Sequence, residues 1–416
     1  MTAISLRQQK IIGFALVLAF AALTRFINLG RPDELVFDEV YYVDGARDFL
    51  TSGVELDKGA AEFIVHPPIG KWAIALGIQV FGDSPFGWRF SGAVVGLLSI
   101  ALIFLITRKL FHSYFLSITG AALMALDGLH LVMSRTALLD IFLSFFILLA
   151  FYLVIMNRLW LAGIVMGLAL ATKWSALYVL AALGIYLLIR NRKSLLTSIQ
   201  FGLVPLFVYL ISWTGWFLSD NGWSRNYSIN PITSWLHYHR EMLNFHTGLT
   251  TEHSYEASAW NWLILGRPTS FFYATPKSCG SDSCSQEVLA MGTPLLWWVG
   301  LVSLFIGIGY FIYRRERSAG LILMFFCASY LPWLAFPERT TFYFYSIAFQ
   351  PFMILMIIYA ISKALENPEL RSKRKKYVIA GTSLIALCFA YFFPLFVGGV
   401  MTYQDWYSRM WFTSWI

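Results

Sequence analysis

Long apolar runs, broken by short polar stretches, recur along almost the whole chain. Those near 11–29, 88–107, 114–132, 137–156, 159–172, 174–190, 198–217, 293–313, 319–336, 341–362 and 377–397 approach the ~20 residues a helix needs to cross ~30 Å of hydrocarbon. The pattern predicts about eleven membrane-spanning helices, the fifth of them short. The first run follows Arg7 and Lys10, as in a secretory signal. Thr24-Arg25-Phe26 then stands where a small-residue cleavage site belongs, so the reading is a retained span. The apolar stretch 72–82 is too short to cross and predicts a helix lying in the interface.

Composition agrees with the pattern. Hydrophobic residues make up 58% of the 416 and charged residues only 13%, against about 25% charged in soluble domains. An ordinary cytosolic enzyme and a disordered chain are both excluded. The net charge of +8 invites a nucleic-acid reading until the charges are placed. With the N-terminus on the cytoplasmic side and the spans alternating, the inner connections hold Arg7, Lys10, Arg108, Lys109, Arg158, Arg190, Arg192, Lys193, Arg314, Arg315, Arg317, Lys363, Arg371, Lys373, Arg374, Lys375 and Lys376. These are 17 of the 31 basic residues beside only Glu316, Glu366 and Glu369, so that side nets +14 and the rest −6. Excess Lys and Arg of this kind orient a membrane protein, and no nucleic-acid partner is implied. One membrane-embedded unit, 1–416, is expected. Its long loops, 30–87 and 218–292, and its tail, 398–416, lie on the outer face; no separate soluble domain or repeat is visible.

Chemistry therefore belongs on the outer loops. The first carries Asp38-Glu39. Asp38 is either the N-cap of a following helix or a carboxylate held there for use. Asp44 and Asp48 share a helix face and read as a solvated edge. His66-Pro67-Pro68-Ile69-Gly70-Lys71 fixes an extended chain before a helix, placing His66 and Lys71 at head-group depth, as donor-binding groups or as plain anchors. Six ionisable residues fall at outer span ends: Arg25, Arg89, Arg135, Asp140, Lys173 and Arg339. Charges at such depth cost at least about 2.5–3.5 kcal/mol, so they face a cavity or pair, as Arg135 with Asp140 would. A basic ring at this level suits a lipid phosphate, and Asp38 or Glu39 beside it suits a base. One carboxylate and a cationic clamp suffice when the leaving group is a phosphate, unlike the two carboxylates of a glycosidase. In the second loop, His237-x-His239 lacks a third ligand and reads as interfacial packing, so no metal is expected. Cys279 and Cys284 lie in a polar outer loop that permits a disulfide.

These residues together resemble the protein O-mannosyltransferases that use a lipid-phosphate mannose donor. Asp38-Glu39 is similar to the family's acidic motif, and His66 through Lys71 to its His-Pro-Pro-x-Gly-Lys segment. Arg135 through Asp140 and Thr172-Lys173-Trp174 resemble its membrane-edge motifs. His253-Ser254-Tyr255-Glu256-Ala257-Ser258, with Trp260, Trp262 and Arg267-Pro268, resembles its shared loop. The likeness runs over about 25–350. It implies an all-α polytopic membrane protein, a GT-C type glycosyltransferase with an outward active site and no cofactor. Eukaryotic members carry an additional β-trefoil in the large outer loop, for which 218–292 has no room. The chain is thus similar to the bacterial, actinobacterial-type form, whose donor is a polyprenyl-phosphate-mannose. Arg339-Thr340-Thr341-Phe342-Tyr343-Phe344-Tyr345 departs from the eukaryotic His-Tyr pair.

The resemblance implies transfer of mannose to Ser or Thr hydroxyls of exported proteins, with inversion, in the cell membrane. Asp38 is expected as the base, and Glu39 as orienting the site or holding the sugar. Arg89, Arg135, Lys173 and Arg339 are expected on the phosphate with Asp140 orienting the arginines, and His66 and Lys71 at the donor. His253 and Trp262 are expected in the acceptor groove. Membrane lipids and the secretion translocon are the further partners expected. A related transferase acting on a lipid or polysaccharide is the nearer alternative. A transporter, whose charges line the midplane, is the more distant.

Overall fold

In hydrocarbon every backbone N–H must find a partner within the chain, so the apolar runs become helices. A computed structural model describes residues 6–191 and 194–416, with side chains from residue 11. Arg7, Lys10, Arg192 and Lys193, which entered the charge count, lie outside the described side chains.

The first span is α1 (Leu6–Phe26), and the outer loop after it folds into α2 (Glu39–Thr51), a hairpin of β1 (Leu56–Asp57) and β2 (Ala60–Ala61), and α3 (Ile69–Phe81). Then come α4 (Pro85–Phe111), α5 (Tyr114–Ala125), α6 (Gly128–Ser134), α7 (Leu139–Ile155), α8 (Leu159–Leu170) and α9 (Ala176–Arg190). Next, α10 (Leu195–Ser198) runs through a wide turn at Ile199–Leu203 into α11 (Val204–Ser212). The large outer loop holds α12 (Thr214–Leu218), α13 (Pro231–Gly248), β3 (Thr269–Ala274) and β4 (Cys284–Ala290). The chain ends with α14 (Pro294–Arg314), α15 (Arg317–Tyr330), α16 (Gln350–Ala364), α17 (Pro368–Val397), β5 (Val400–Thr402) and α18 (Tyr403–Ser408).

Each of the eleven apolar runs falls on a helix or a helix pair. Among the described residues, five helices are long and apolar enough to cross alone, and a sixth crossing is made if α5 and α6, bent by 65°, are one broken span. The other apolar helices are shorter over the residues whose side chains are described, so eleven crossings remain an expectation. Shortness has a purpose in the architecture. A 12-residue helix such as α8 rises only ~18 Å, and the polar turn after it, carrying Lys173, is buried. The all-helical reading holds for the body, but two small sheets were not predicted. Strands β3, β4 and β5 form an antiparallel sheet in that order, with a bulge between Ser270 and Phe272. Cys279 and Cys284 close the β3–β4 loop as a disulfide, as expected.

Helix α7 is apolar on all sides and lies at the centre, packed on α4, α8 and α9, with Phe142 and Phe151 fully buried. Helix α3, on the stretch expected to be a short helix, packs on α2, α4 and the start of α7. Gly70 opens it. A Cβ there would stand 2.6 Å from Leu139 Cδ2 and 3.2 Å from Thr172 Cγ2, so the glycine lets α3 dock against the chain flanking Asp140 and Lys173 without displacing the Leu139 side chain.

Candidate active site

Several expected phosphate ligands prove to be fasteners. Arg89 and Glu39 are fully buried and joined by two bonds of 2.8 Å, from Nε and from Nη2. The other guanidinium N–H groups go to the carbonyls of Leu29, Pro32 and Glu34. Glu39 also accepts from the backbone N–H of Val36 at 3.0 Å and of Ala137 at 2.8 Å. Arg89 has no donor left for a phosphate, and Glu39 has no oxygen turned to a sugar. Together they tie the first outer loop to α4 and to the start of α7.

Arg135 does similar work. A helix leaves its last carbonyls without partners, and those of α1 are gathered by this one guanidinium. Nη1 donates to Thr24, Arg25 and Ile27 and Nη2 to Asn28, at 2.9–3.0 Å. Its pairing with Asp140 is not formed. Arg25 is buried against His130 Nδ1 at 2.9 Å. Lys71 is buried in an ion pair with Glu55 and donates to the His66 carbonyl at 3.1 Å. Burying a charge is tolerable only with such partners, which Arg135 and Lys71 have in full, while Arg25 keeps a buried Nε without one among the described residues.

What converges is a smaller set. Asp140, in the first turn of α7, faces Lys173, just past the end of α8. Both positions suit the helix dipoles. The ammonium donates to both carboxylate oxygens, at 2.9 and 3.0 Å, leaving its third N–H, and lies 4.2 Å from the centre of the Tyr345 ring. Asp140 therefore orients a lysine, not the arginines. Lys173 also acts electrostatically on Asp38. Asp38 precedes α2 yet makes no side-chain cap bond, so the N-cap alternative fails and its carboxylate is available. It accepts instead from the Tyr42 hydroxyl, one turn along. Burial, reinforced by Asp140 and opposed by Lys173 and Tyr42, lifts the Asp38 pKa to about 6.

Lys173 also lines a cleft of about 210 Å³ with His66, Trp174, His246, Trp333 and Arg339. Burial, with Lys173, His246, Lys71 and Arg339 nearby, keeps His66 neutral by lowering its pKa well below the usual value. Its buried Nδ1 has no partner among the described residues. His246 donates Nε2–H to the Val65 carbonyl at 2.8 Å, and burial lowers its pKa to about 4. Arg339 uses Nε on the His246 carbonyl and Nη1 on Thr340, leaving Nη2 without a protein partner among the described residues. The cleft thus offers one lysine N–H, one arginine fork edge and neutral imidazoles around an apolar wall. Behind it, Trp174 Nε1 donates to Tyr209, whose hydroxyl meets His239 Nε2 at 2.7 Å, while His239 Nδ1 meets the Trp235 carbonyl. His237 instead stacks on Tyr227 at 3.9 Å.

The direction of Asp38 is set by its neighbour. Phe37 has φ +49°, a left-handed conformation that bulky residues rarely adopt. Its ring stacks on Phe271 at 4.8 Å and meets Phe342 and Phe344 edge-on at 5.7 and 5.5 Å. Phe271 is the extra residue of the β3 bulge, and bulges re-aim side chains next to active sites. The sequence reading missed Phe37, Tyr42, Phe271 and Tyr345. Only Tyr42, at i+4 from Asp38, carried a readable signal. His253 is exposed, 6.1 Å from Phe37 and 5.0 Å from Phe342 between ring centres. Trp262 is fully buried and donates to the Ala257 carbonyl at 2.9 Å, so it supports the loop from inside and cannot line a groove.

Known proteins are similar to this chain over most of its length. The family described as dolichyl-phosphate-mannose-protein mannosyltransferase matches residues 65–216, and the C-terminal four TMM region of protein-O-mannosyltransferase matches 231–415. The polyprenol-phosphate-mannose–protein mannosyltransferase of Mycolicibacterium smegmatis is 31% identical over 477 aligned positions, covering 96% of this chain and 92% of that one. The protein of the same description from Corynebacterium glutamicum is 32% identical over 486, covering 97% and 93%. Among solved structures, the S. cerevisiae protein O-mannosyltransferase Pmt1-Pmt2 complex bound to the sugar donor matches with a TM-score of 0.83 at 15% identity, over 100% of this chain and 93% of that one. ArnT from Cupriavidus metallidurans bound to undecaprenyl phosphate matches at 0.57 and 16% identity, over 94% and 71%. At such identities the structures speak for the GT-C glycosyltransferase fold alone, while the bacterial sequences align along nearly their full lengths. The chain belongs to the protein O-mannosyltransferase family of membrane glycosyltransferases.

Proposed function

We propose that this chain transfers a mannosyl group from polyprenol-phosphate-mannose to a Ser or Thr hydroxyl of an exported protein, with Asp38 as general base. The observation that carries the reading is the Asp38 carboxylate. It is uncapped, raised to about 6, and adjacent to the one lysine that faces both it and the cleft. A base poised near neutrality is both ionised and strong enough to help, which is worth roughly 10²–10⁴-fold.

The acceptor oxygen attacks the anomeric carbon as its proton passes to Asp38. The bond from that carbon to the phosphate oxygen breaks on the opposite face, and its electron pair leaves on the phosphate. The configuration inverts. Lys173, with its free N–H, and Arg339, through Nη2, neutralise the departing phosphate, and neutral His66 offers a hydrogen bond beside them. Asp140 holds Lys173 in place. Arg89, Arg135, Lys71 and Glu39 act one step back, by fixing the loop that bears Asp38. His253 stands at the exposed edge where an acceptor chain approaches. The charge asymmetry of the helix ends supports a cytoplasmic N-terminus and a site on the outer face of the cell membrane. An extended acceptor on that face suits coupling to the secretion translocon.

The test is an assay with labelled mannosyl lipid and a Thr-containing peptide. Asp38→Asn is expected to abolish transfer, and Lys173→Met to raise the KM for the lipid more than that for the peptide. Full activity of Asp38→Asn would remove the base, and an effect of Lys173→Met on the peptide alone would remove the phosphate contact.

A further inference from the structure

A second cavity, of about 570 Å³, opens at the opposite end of the helices, where the α4–α5 turn, the start of α15 and the α16–α17 connection meet. Nothing in the transfer reaction uses it. Its two carboxylates share one lysine, Lys363 lying 2.8 Å from Glu316 and 2.6 Å from Glu366, so that with Arg371 and Lys375 the lining carries three cations against two anions. The Tyr359 hydroxyl donates to Glu316 as well, at 2.8 Å.

Arg371 and Lys375 are different. They stand one turn apart on α17 and both line the cavity. Neither has a carboxylate within ion-pair distance among the described residues. Arg371 engages only Nε, on the Leu365 carbonyl at 2.9 Å, and Lys375 lies 5.4 Å from the centre of the Phe115 ring. Across from them, α15 begins at Arg317 with no side-chain cap from Glu316. The hydroxyl of Ser318, in its first turn, faces the cavity with no partner among the described residues. Leu110, Phe111 and Leu116 make an apolar wall where the spans end. Two unmatched cations, open helix N–H groups and a free hydroxyl at that depth are the chemistry that receives a phosphate ester. Basic pockets between helices on this side are where anionic head groups bind.

We propose that this cavity binds a phosphate ester, the head group of an anionic phospholipid, through Arg371, Lys375 and Ser318. The experiment uses the full chain in nanodiscs of phosphatidylcholine, with and without phosphatidylglycerol. Thermal unfolding and the lipid retained after purification are measured, and a parallel arm adds soluble glycerol phosphate. Phosphatidylglycerol is expected to raise the unfolding midpoint and to be retained. R371Q/K375Q is expected to weaken retention about tenfold, or 1.4 kcal/mol, with transfer activity kept. K373Q/K376Q, which removes the same charge from outside the lining, is expected to retain the lipid. If R371Q/K375Q does not fold, Ser318→Glu sets a carboxylate in the cavity and makes the same test. An effect of the lipid alone assigns the head group, and an equal effect of glycerol phosphate assigns free phosphate esters. No stabilisation by either, or equal losses in both double variants, would overturn the site.

Discussion

The acid limb of the rate profile is the sharpest probe of the proposed base. If Asp38 must be ionised, kcat/KM should fall as pH drops through about 6, two units above where an ordinary Asp titrates. Two substitutions next to it should move that limb in opposite directions. Tyr42→Phe deletes the hydroxyl that stabilises the carboxylate. A hydrogen bond to a charged group is worth about 1.5–3 kcal/mol, but Asp38 is partly exposed and the lower end applies. At 1.36 kcal/mol per unit, the limb should rise by about one pH unit. Asp140→Asn removes an anion that disfavours a second one and releases Lys173 to act on Asp38, so the limb should move down by about one unit. Initial rates with saturating peptide and limiting lipid donor, across the acid range, read both shifts. The neutral His66 adds no limb of its own there. Movement of both limbs the same way, or of neither, would assign the titration to another group and refute Asp38 as the base.

Three further outcomes follow from the geometry. Folded Asp38 ionises near 6 and unfolded Asp near 3.8, so its ionisation costs stability above about pH 6 and nothing below about pH 4. Asp38→Asn should therefore unfold later than the parent near pH 7, by on the order of 2 kcal/mol, and match it near pH 4; denaturation at both values checks this. Glu39→Gln strands the buried Arg89 and should cost about 3–5 kcal/mol of stability while leaving the donor KM of the surviving enzyme unchanged. A raised donor KM with unchanged melting would return Glu39 to the binding site. Phe271→Ala should lower kcat by about 10- to 100-fold through misdirection of Asp38, with donor KM kept, and Phe271→Tyr should restore it.

The depth of each charge was legible in the sequence, because run lengths fix where a helix leaves the hydrocarbon. That located Asp140, Lys173 and Arg339 at one level, with Asp38 in the loop beside them. Direction around each helix was not legible, and it decides everything else. Arg89 and Arg135 lie at the same depth as Lys173 but point at backbone carbonyls some sixty to a hundred residues away in sequence. No periodicity announces a guanidinium that collects helix-end carbonyls. The sheet was hidden for a related reason: β5 pairs with β4 across more than a hundred residues, and three residues carry no alternation to read. Trp262 failed as a groove residue because a tryptophan at an interface and one beneath it look alike until burial is known.

The grip of Arg135 on the end of α1 also bears on the order of synthesis. The carbonyls of Thr24, Arg25, Ile27 and Asn28 receive a side chain made more than a hundred residues later. The nascent first loop, with Asp38 in it, therefore cannot take its working shape when it emerges. The end of α1, from which that loop departs, gains this clasp only once α6 has been made.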